Sequence, residues 1–251
     1  MTNQPGTEIA QMKSSRLATA FIFTIAVSGF AMLAGSALKL STPHHYQFLS
    51  LLVISAVASR MRVKLPGMDG NMSVNLPFML IAAAQLSLFE AVAVALVSAG
   101  VQCMPKSGGK FQPVKMLFNV ATMVLAAGVT AMLLHSDWLV SATHRIASLP
   151  LVAACSMFFL VNTLPVATII SLTEGSHLLR IWSSILHLSF PYYVACTGVT
   201  SIITAMSQLI GWQVPLTMLP VMLLMYRCYR VYFSQTAETP TSWAKARAAG
   251  V

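Results

Sequence analysis

From Arg180 to Arg227 the chain runs through 46 residues without a single Asp, Glu, Lys or Arg. A helix needs about 20 residues to cross roughly 30 Å of hydrocarbon, so this stretch reads as two membrane spans broken at Gly211-Trp212-Gln213. Pro215 then falls near the first turn of the second span, where a missing N–H costs little. The same texture continues through all 251 residues: 57% are hydrophobic and 8% charged, with a mean hydropathy of +0.75. A soluble domain carries about a quarter charged residues, and one core of this size could not bury so much apolar surface. A purely soluble enzyme, a disordered chain and a nucleic-acid-binding domain are therefore excluded.

The fold class expected is all-α, a polytopic membrane helical bundle of about eight hydrophobic segments. Their limits are 17–38, 46–59, 74–88, 90–104, 116–134, 149–172, 190–209 and 214–232. Leu17 to Leu38 is longer than the roughly 7–15-residue core of a signal peptide, so it reads as a retained first helix. The stretch 74–104 could be one tilted span or a short-helix hairpin. Charge decides between them. A single span would put Arg60, Arg62 and Lys64 on the opposite side of the membrane from Lys106, Lys110 and Lys115, whereas a hairpin keeps both basic loops inside. Ser87-Leu88-Phe89-Glu90 has the spacing of a capping box, in which the Ser hydroxyl and Glu carboxylate satisfy free N–H groups at a helix start. With both termini inside, 13 of the 15 Lys and Arg residues face the cytoplasm, and only Lys39 and Arg145 lie outside. The net charge of +9 is then a topology signal, with attraction to anionic headgroups as a by-product. The expected organisation is a cytoplasmic tail 1–16, a transmembrane domain 17–233 and a cytoplasmic tail 234–251, in the inner membrane.

Segments 46–59, 74–88 and 90–104 are too short to cross alone and need shelter from neighbours. Ala91, Ala95 and Ala99 offer a flat face for close approach, with Ala82, Ala83 and Ala84 as the expected partner. Between the sixth and seventh spans, Leu178, Ile181, Trp182 and Ile185 recur at helical spacing opposite His177, Arg180, Ser184 and His187. That pattern predicts an interfacial helix, broken at Phe190-Pro191. Trp138, Trp212, Tyr226, Tyr229 and Tyr232 fall at span ends as aromatic anchors.

Chemistry inside a membrane normally leaves a cluster of ionisable side chains there, because charge in hydrocarbon is costly. This chain lacks one. Glu90 is the single carboxylate flanked by apolar sequence, and the capping box accounts for it. The histidines lie outside mid-span positions, which argues against a bis-histidine haem; His44, His45, Asp137 and His144 could meet at the outer face, but no metal is expected. Cys103, Cys155, Cys196 and Cys228 form no C-x-x-C pair and read as small core residues. What remains is a neutral polar set. Asn75, Gln85, Glu90, Asn119, Asn162, Thr163, Tyr192 and Tyr193 are the candidate ligand-binding residues, with Ser189 and Thr197 beside them. Such groups either bond between helices or orient a weakly polar ligand in a pocket lined by Met and aromatic side chains.

The runs LPGMDGNMSVNLPFMLIAAAQLSLFEA (65–91), KMLFNVATMVLAAG (115–128), FFLVNTLPVATIISLTEG (158–175), SFPYYVACTG (189–198) and LPVMLLMYRCYRVYF (219–233) resemble the membrane-embedded N-terminal sensory region of bacterial GGDEF- or HD-type signalling proteins. The resemblance covers about residues 40–233. It implies a sensory membrane module, here expected without the catalytic output domain because 18 residues follow the last span. The hairpin after a basic loop is also similar, more loosely, to the substrate-binding S-components of energy-coupling-factor transporters.

These readings lead to a non-enzymatic membrane module without cofactor, binding a small molecule or lipid, or anchoring a signalling partner at the cytoplasmic face. The alternatives are a solute-binding transporter subunit and an accessory subunit of a membrane complex. The topology is directly testable. Single cysteines placed in the loop 106–115 of a variant lacking its native thiols are expected to resist a membrane-impermeant maleimide added to intact cells, and to react once the membrane is opened.

Overall fold

The computed structural model describes residues 5–38, 45–64, 71–73, 75–104, 112–142 and 149–211, together with the single positions 213, 220, 223, 224, 227, 228 and 231. Eight helices and one short ladder make up the described part: α1 (Pro5–Ala37), α2 (His45–Ser59), β1 (Arg62–Lys64), β2 (Asn71–Ser73), α3 (Leu76–Gln85), α4 (Leu88–Cys103), α5 (Pro113–Leu134), α6 (Asp137–Ala142), α7 (Leu149–Glu174) and α8 (Leu178–Ile210). Helices occupy the first seven expected segments. Most of 214–232, with Trp212, Tyr226, Tyr229 and Tyr232, lies outside the described residues, and so do the tail 234–251, His44, His144, Lys106 and Lys110.

Among the described residues, three helical stretches are long and apolar enough to cross a membrane: Arg16–Ala37, Pro113–Leu134 and Leu149–Glu174. The bent pair Leu178–His187 and Ser189–Ser207 makes a fourth if it counts as one span. Phe23 is 69% exposed and Phe30 is 72% exposed on α1, an arrangement that water penalises and lipid does not.

The core is built around α3. Leu76 to Ala83 are all buried, because the helix is apolar on every side and α2, α4, α5, α7 and α8 surround it. At 10 residues it is about 15 Å long, half the hydrocarbon thickness. The chain then reverses. The Ser55 hydroxyl lies 3.6 Å from Met79 Sδ on α3 and 2.6 Å from Ser98 Oγ on α4. In a straight helix residues 79 and 98 would be about 28 Å apart, so α3 and α4 fold against each other as a hairpin. Its turn is Leu86 and Ser87, both extended (ψ 164° and 160°). The capping box is formed: Glu90 Oε2 accepts from the Ser87 N–H at 3.0 Å, and Ser87 Oγ accepts from the Glu90 N–H at 3.4 Å.

Several expectations need correction. Helix α1 starts at Pro5, well inside the expected tail, since Pro is pre-organised for a first turn and Glu8, Ala10, Gln11, Met12 and Lys13 are good helix formers. An antiparallel ladder pairs Arg62 with Ser73, Val63 with Met72 and Lys64 with Asn71 between α2 and α3; turn-forming Pro66-Gly67 and Asp69-Gly70 separate the two strands in sequence. The alanine face of α4 is shared. Ala91 packs with Ala83 of α3 and also with Ala131 of α5, and Ala95 joins a cluster with Ala126 and Ala127. The break expected at Phe190-Pro191 lies slightly upstream: Leu178–His187 and Ser189–Ser207 meet at a 50° bend, and α8 is continuous through Pro191. The proline ring has no N–H for the His187 carbonyl and crowds it, which bends the helix one turn upstream without ending it. Cys228 is exposed, not a core residue, whereas Cys155 and Cys196 are buried.

Close approach of α1 to α5 depends on two glycines. A Cβ on Gly29 would stand 2.8 Å from Ala121 Cβ and 2.9 Å from its Cα; one on Gly128 would meet only the flexible Met32 side chain, at 2.7 Å. Gly29→Ala is expected to lower the thermal midpoint of the detergent-solubilised protein by an amount corresponding to about 1–3 kcal/mol. Gly128→Ala should cost less, and differential scanning fluorimetry of both variants gives the comparison.

Candidate functional site

The eight candidate residues do not form one site. Asn119 on α5 points its amide toward Cys103 Sγ of α4 at 3.9 Å. Asn75 precedes α3 and donates from Nδ2 to Ser59 Oγ at 3.0 Å. At the other end of α3, Gln85 accepts from Gln47 Nε2 at 2.7 Å and donates to Ser207 Oγ of α8 at 2.6 Å. Glu90 is fully buried and sits in its capping box, with Oε1 lacking a partner among the described residues. These four hold elements together.

The other four meet where α7 packs on the bend of α8. Asn162 Nδ2 donates to the Tyr193 hydroxyl at 3.1 Å, and Trp182 Nε1 donates to Thr163 Oγ1 at 3.2 Å. Phe159 stands between them, edge-on to Tyr193 at 4.7 Å between centroids and 6.3 Å from Trp182. Tyr192 lies 6.0 Å from Tyr193, nearly perpendicular to it. Cys155 Sγ approaches the Tyr193 carbonyl at 3.7 Å, and Thr197 Oγ1 donates to the same oxygen at 2.8 Å. The Tyr192 hydroxyl reaches the opposite way, to the backbone of Leu76 at the start of α3.

Local sequence explains this geometry. Pro165 and Pro191 each remove a helical hydrogen bond, to the carbonyls of Val161 and His187, so both walls of the cluster carry a free backbone acceptor within their own helix. The bend swings the first three turns of α8 toward α7, which is how Trp182 comes to lie against Thr163 and Phe159, while His177, Arg180, Ser184 and His187 stay exposed. Edge-to-face rings each contribute about 0.5–1.5 kcal/mol beyond their area and keep fixed relative orientations. No group of three His, Cys, Asp or Glu residues that could hold a metal ion occurs among the described residues. The cluster is aromatic, neutral and supplied with amide, phenol, indole and hydroxyl groups. Such a surface orients an uncharged or weakly polar molecule.

Comparison with protein families agrees with this reading of a membrane-associated, largely neutral bundle. A family model, MASE9, matches residues 19–232, which takes in every helix of the bundle except the first turns of α1. The chain belongs to the MASE9 family. This is a family of membrane-associated sensory domains. No curated relative and no solved structure matches the chain. The match gives the class, while the GGDEF or HD association and the S-component likeness stay at the level of sequence resemblance.

Of the candidates named from sequence, the structure brings Asn162, Thr163, Tyr192 and Tyr193 together in this MASE9 bundle, and it sets Phe159, Cys155 and Trp182, which were not among the candidates, beside them. One signal was available: Cys155, Phe159 and Asn162 share one face of α7 at helical spacing, as Tyr193 and Thr197 do on α8. A double-mutant cycle of Asn162→Leu and Tyr193→Phe should give a coupling of about 0.6 kcal/mol, the usual size of an interhelical hydrogen bond in a membrane bundle. Thermal unfolding of the two single variants and the double variant measures it.

Proposed function

We propose that this MASE9 chain is a non-enzymatic membrane module that senses a small or lipophilic ligand at the α7/α8 cluster. It signals to a protein partner at the cytoplasmic face of the inner membrane, with both termini on that side. The observation that carries the reading is the cluster's position: rings from Phe159, Trp182, Tyr192 and Tyr193 converge at the 50° bend of α8. A ligand changes a protein's conformation only to the extent that it prefers one arrangement over another. In this reading the proline-weakened bend, lined by neutral polar groups, is the element whose angle the ligand sets. The chain beyond α8, which carries Arg227 and Arg230, is the natural route to the partner.

The test is native mass spectrometry of the protein released gently from its membrane, compared with Asn162→Leu and Tyr193→Phe. A retained small molecule or lipid that is present in the parent protein and lost from both variants, each still folded with its midpoint lowered by no more than the loss of one interhelical hydrogen bond, is the expected result. Identical adducts in all three proteins would remove the cluster from any sensing role.

A further inference from the structure

Within an apolar helix bundle a threonine normally turns its hydroxyl to the carbonyl four residues back, which satisfies it locally. Thr24, Thr122, Thr163, Thr168, Thr173 and Thr197 all do so here. Thr130, Thr200 and Thr204 do not, and their buried Oγ1 atoms have no partner among the described residues. Thr130 is solitary on α5. Thr200 and Thr204 lie one turn apart on α8, and Thr200 is completely buried.

Their surroundings are ordered. On one side, Cys155 and Thr197 both donate to the Tyr193 carbonyl. On the other, Ser207 donates to the Thr204 carbonyl at 3.0 Å and accepts from Gln85, which is itself held by Gln47. A polar track thus follows α8 from Tyr193 to Gln47. It is satisfied at both ends and open in the middle, over the roughly 15 Å from residue 197 to residue 207. α7 runs antiparallel to α8 here, since Cys155 meets the Thr197 turn and Asn162 meets Tyr193. Continued by one turn, the same register runs the buried Leu151 and Ala154 of α7 alongside the part of α8 that holds Thr200 and the fully buried Ile203.

Two hydroxyls, each able to donate and accept, call for a partner that does both. The named side chains of the track are all uncharged, so nothing there compensates an ionic ligand in a medium where charge is costly. The walls are apolar and suit a hydrocarbon body. We propose that Thr200 and Thr204 form the polar-headgroup subsite for a neutral, hydroxyl- or carbonyl-bearing amphiphile drawn from the lipid phase. The proposal rests on the sensing role above and names its ligand class.

The experiment uses the whole chain in lipid nanodiscs, with 1-decanol, decane and decyltrimethylammonium as probes. Thermal unfolding is followed for the parent protein, for Thr200→Val/Thr204→Val and for Thr200→Ser/Thr204→Ser. Valine keeps the shape and deletes the orphaned hydroxyls, so the ligand-free midpoint is expected to stay level or rise. In the parent, 1-decanol should raise the midpoint by a few degrees, saturably, beyond any effect of decane or the cation. The Ser/Ser variant should keep that shift and the Val/Val variant should lose it. Equal shifts for decane and decanol, or a decanol shift that survives in Val/Val, would overturn the subsite. So would the absence of any decanol shift in the parent. If the molecule retained in native mass spectra depends on Tyr193 but persists in Val/Val, the subsite fails while the sensing role stands; if no variant alters retention, both fail.

Discussion

A helix that stops inside hydrocarbon leaves unpaired backbone groups at both ends, and the bilayer offers no water to meet them. Helix α3 meets the same demand by burial: it is 10 residues long, with Leu76 to Ala83 all enclosed by neighbouring helices, so its ends need partners from the protein itself. The rest of the bundle is arranged around that constraint. At its first turn Pro77 lacks an N–H, the Leu76 backbone meets the Tyr192 hydroxyl, and Asn75 is tied to Ser59. At its last turn the Leu86 N–H closes on the Ala82 carbonyl, and Gln85 joins Gln47 of α2 to Ser207 of α8. Where side chains must stand in for water, polar residues become necessary inside an apolar sequence, and Asn75 and Gln85 are those residues.

This accounts for the split of the neutral polar set into two kinds. Asn75, Gln85, Asn119 and Glu90 connect or terminate helices through their hydrogen bonds, and Glu90 Oε1 has no partner among the described residues. Glu90 shows how far local satisfaction can go: the Ser87 N–H and hydroxyl both approach one carboxylate oxygen at about 3 Å, at a helix N-terminus whose partial positive charge favours an anion. Asn162, Thr163, Tyr192 and Tyr193 are instead set among rings at a bend, where the backbone already has free acceptors.

How much of this was legible depends on the range of the interaction that decides it. The capping box needs residues three apart, and Ser87 and Glu90 announced it. The hairpin followed from the placement of Arg60, Arg62, Lys64, Lys106, Lys110 and Lys115, because crossing number and loop charge are coupled in a membrane. Pro191 marked the bend, though not its place one turn upstream, where the proline ring crowds the His187 carbonyl. The partners of Gln85 were beyond reach: Gln47 is 38 residues away and Ser207 is 122 away. Spacing along one helix cannot identify a neighbour chosen by the packing of four. The ladder at 62–64 and 71–73 was missed because three-residue strands carry too little alternation to stand out beside apolar helices.

The two kinds of polar residue meet at one peptide unit. Tyr192 and Tyr193 are successive on α8, so their side chains leave the helix about 100° apart: the first reaches the start of α3, the second the Asn162 amide of α7. Rotation or straightening of α8 at its bend cannot relax one contact without moving the other. The anchor of the buried hairpin and the aromatic cluster therefore share a single mechanical element, and Ser207, about four turns further along with no described break between, ties that element to the opposite end of α3. A change in the angle at Pro191 would strain the α3 ends unless α3 moved too, so the hydrogen bonds that hold α3 within the bundle oppose movement of α8 at its bend.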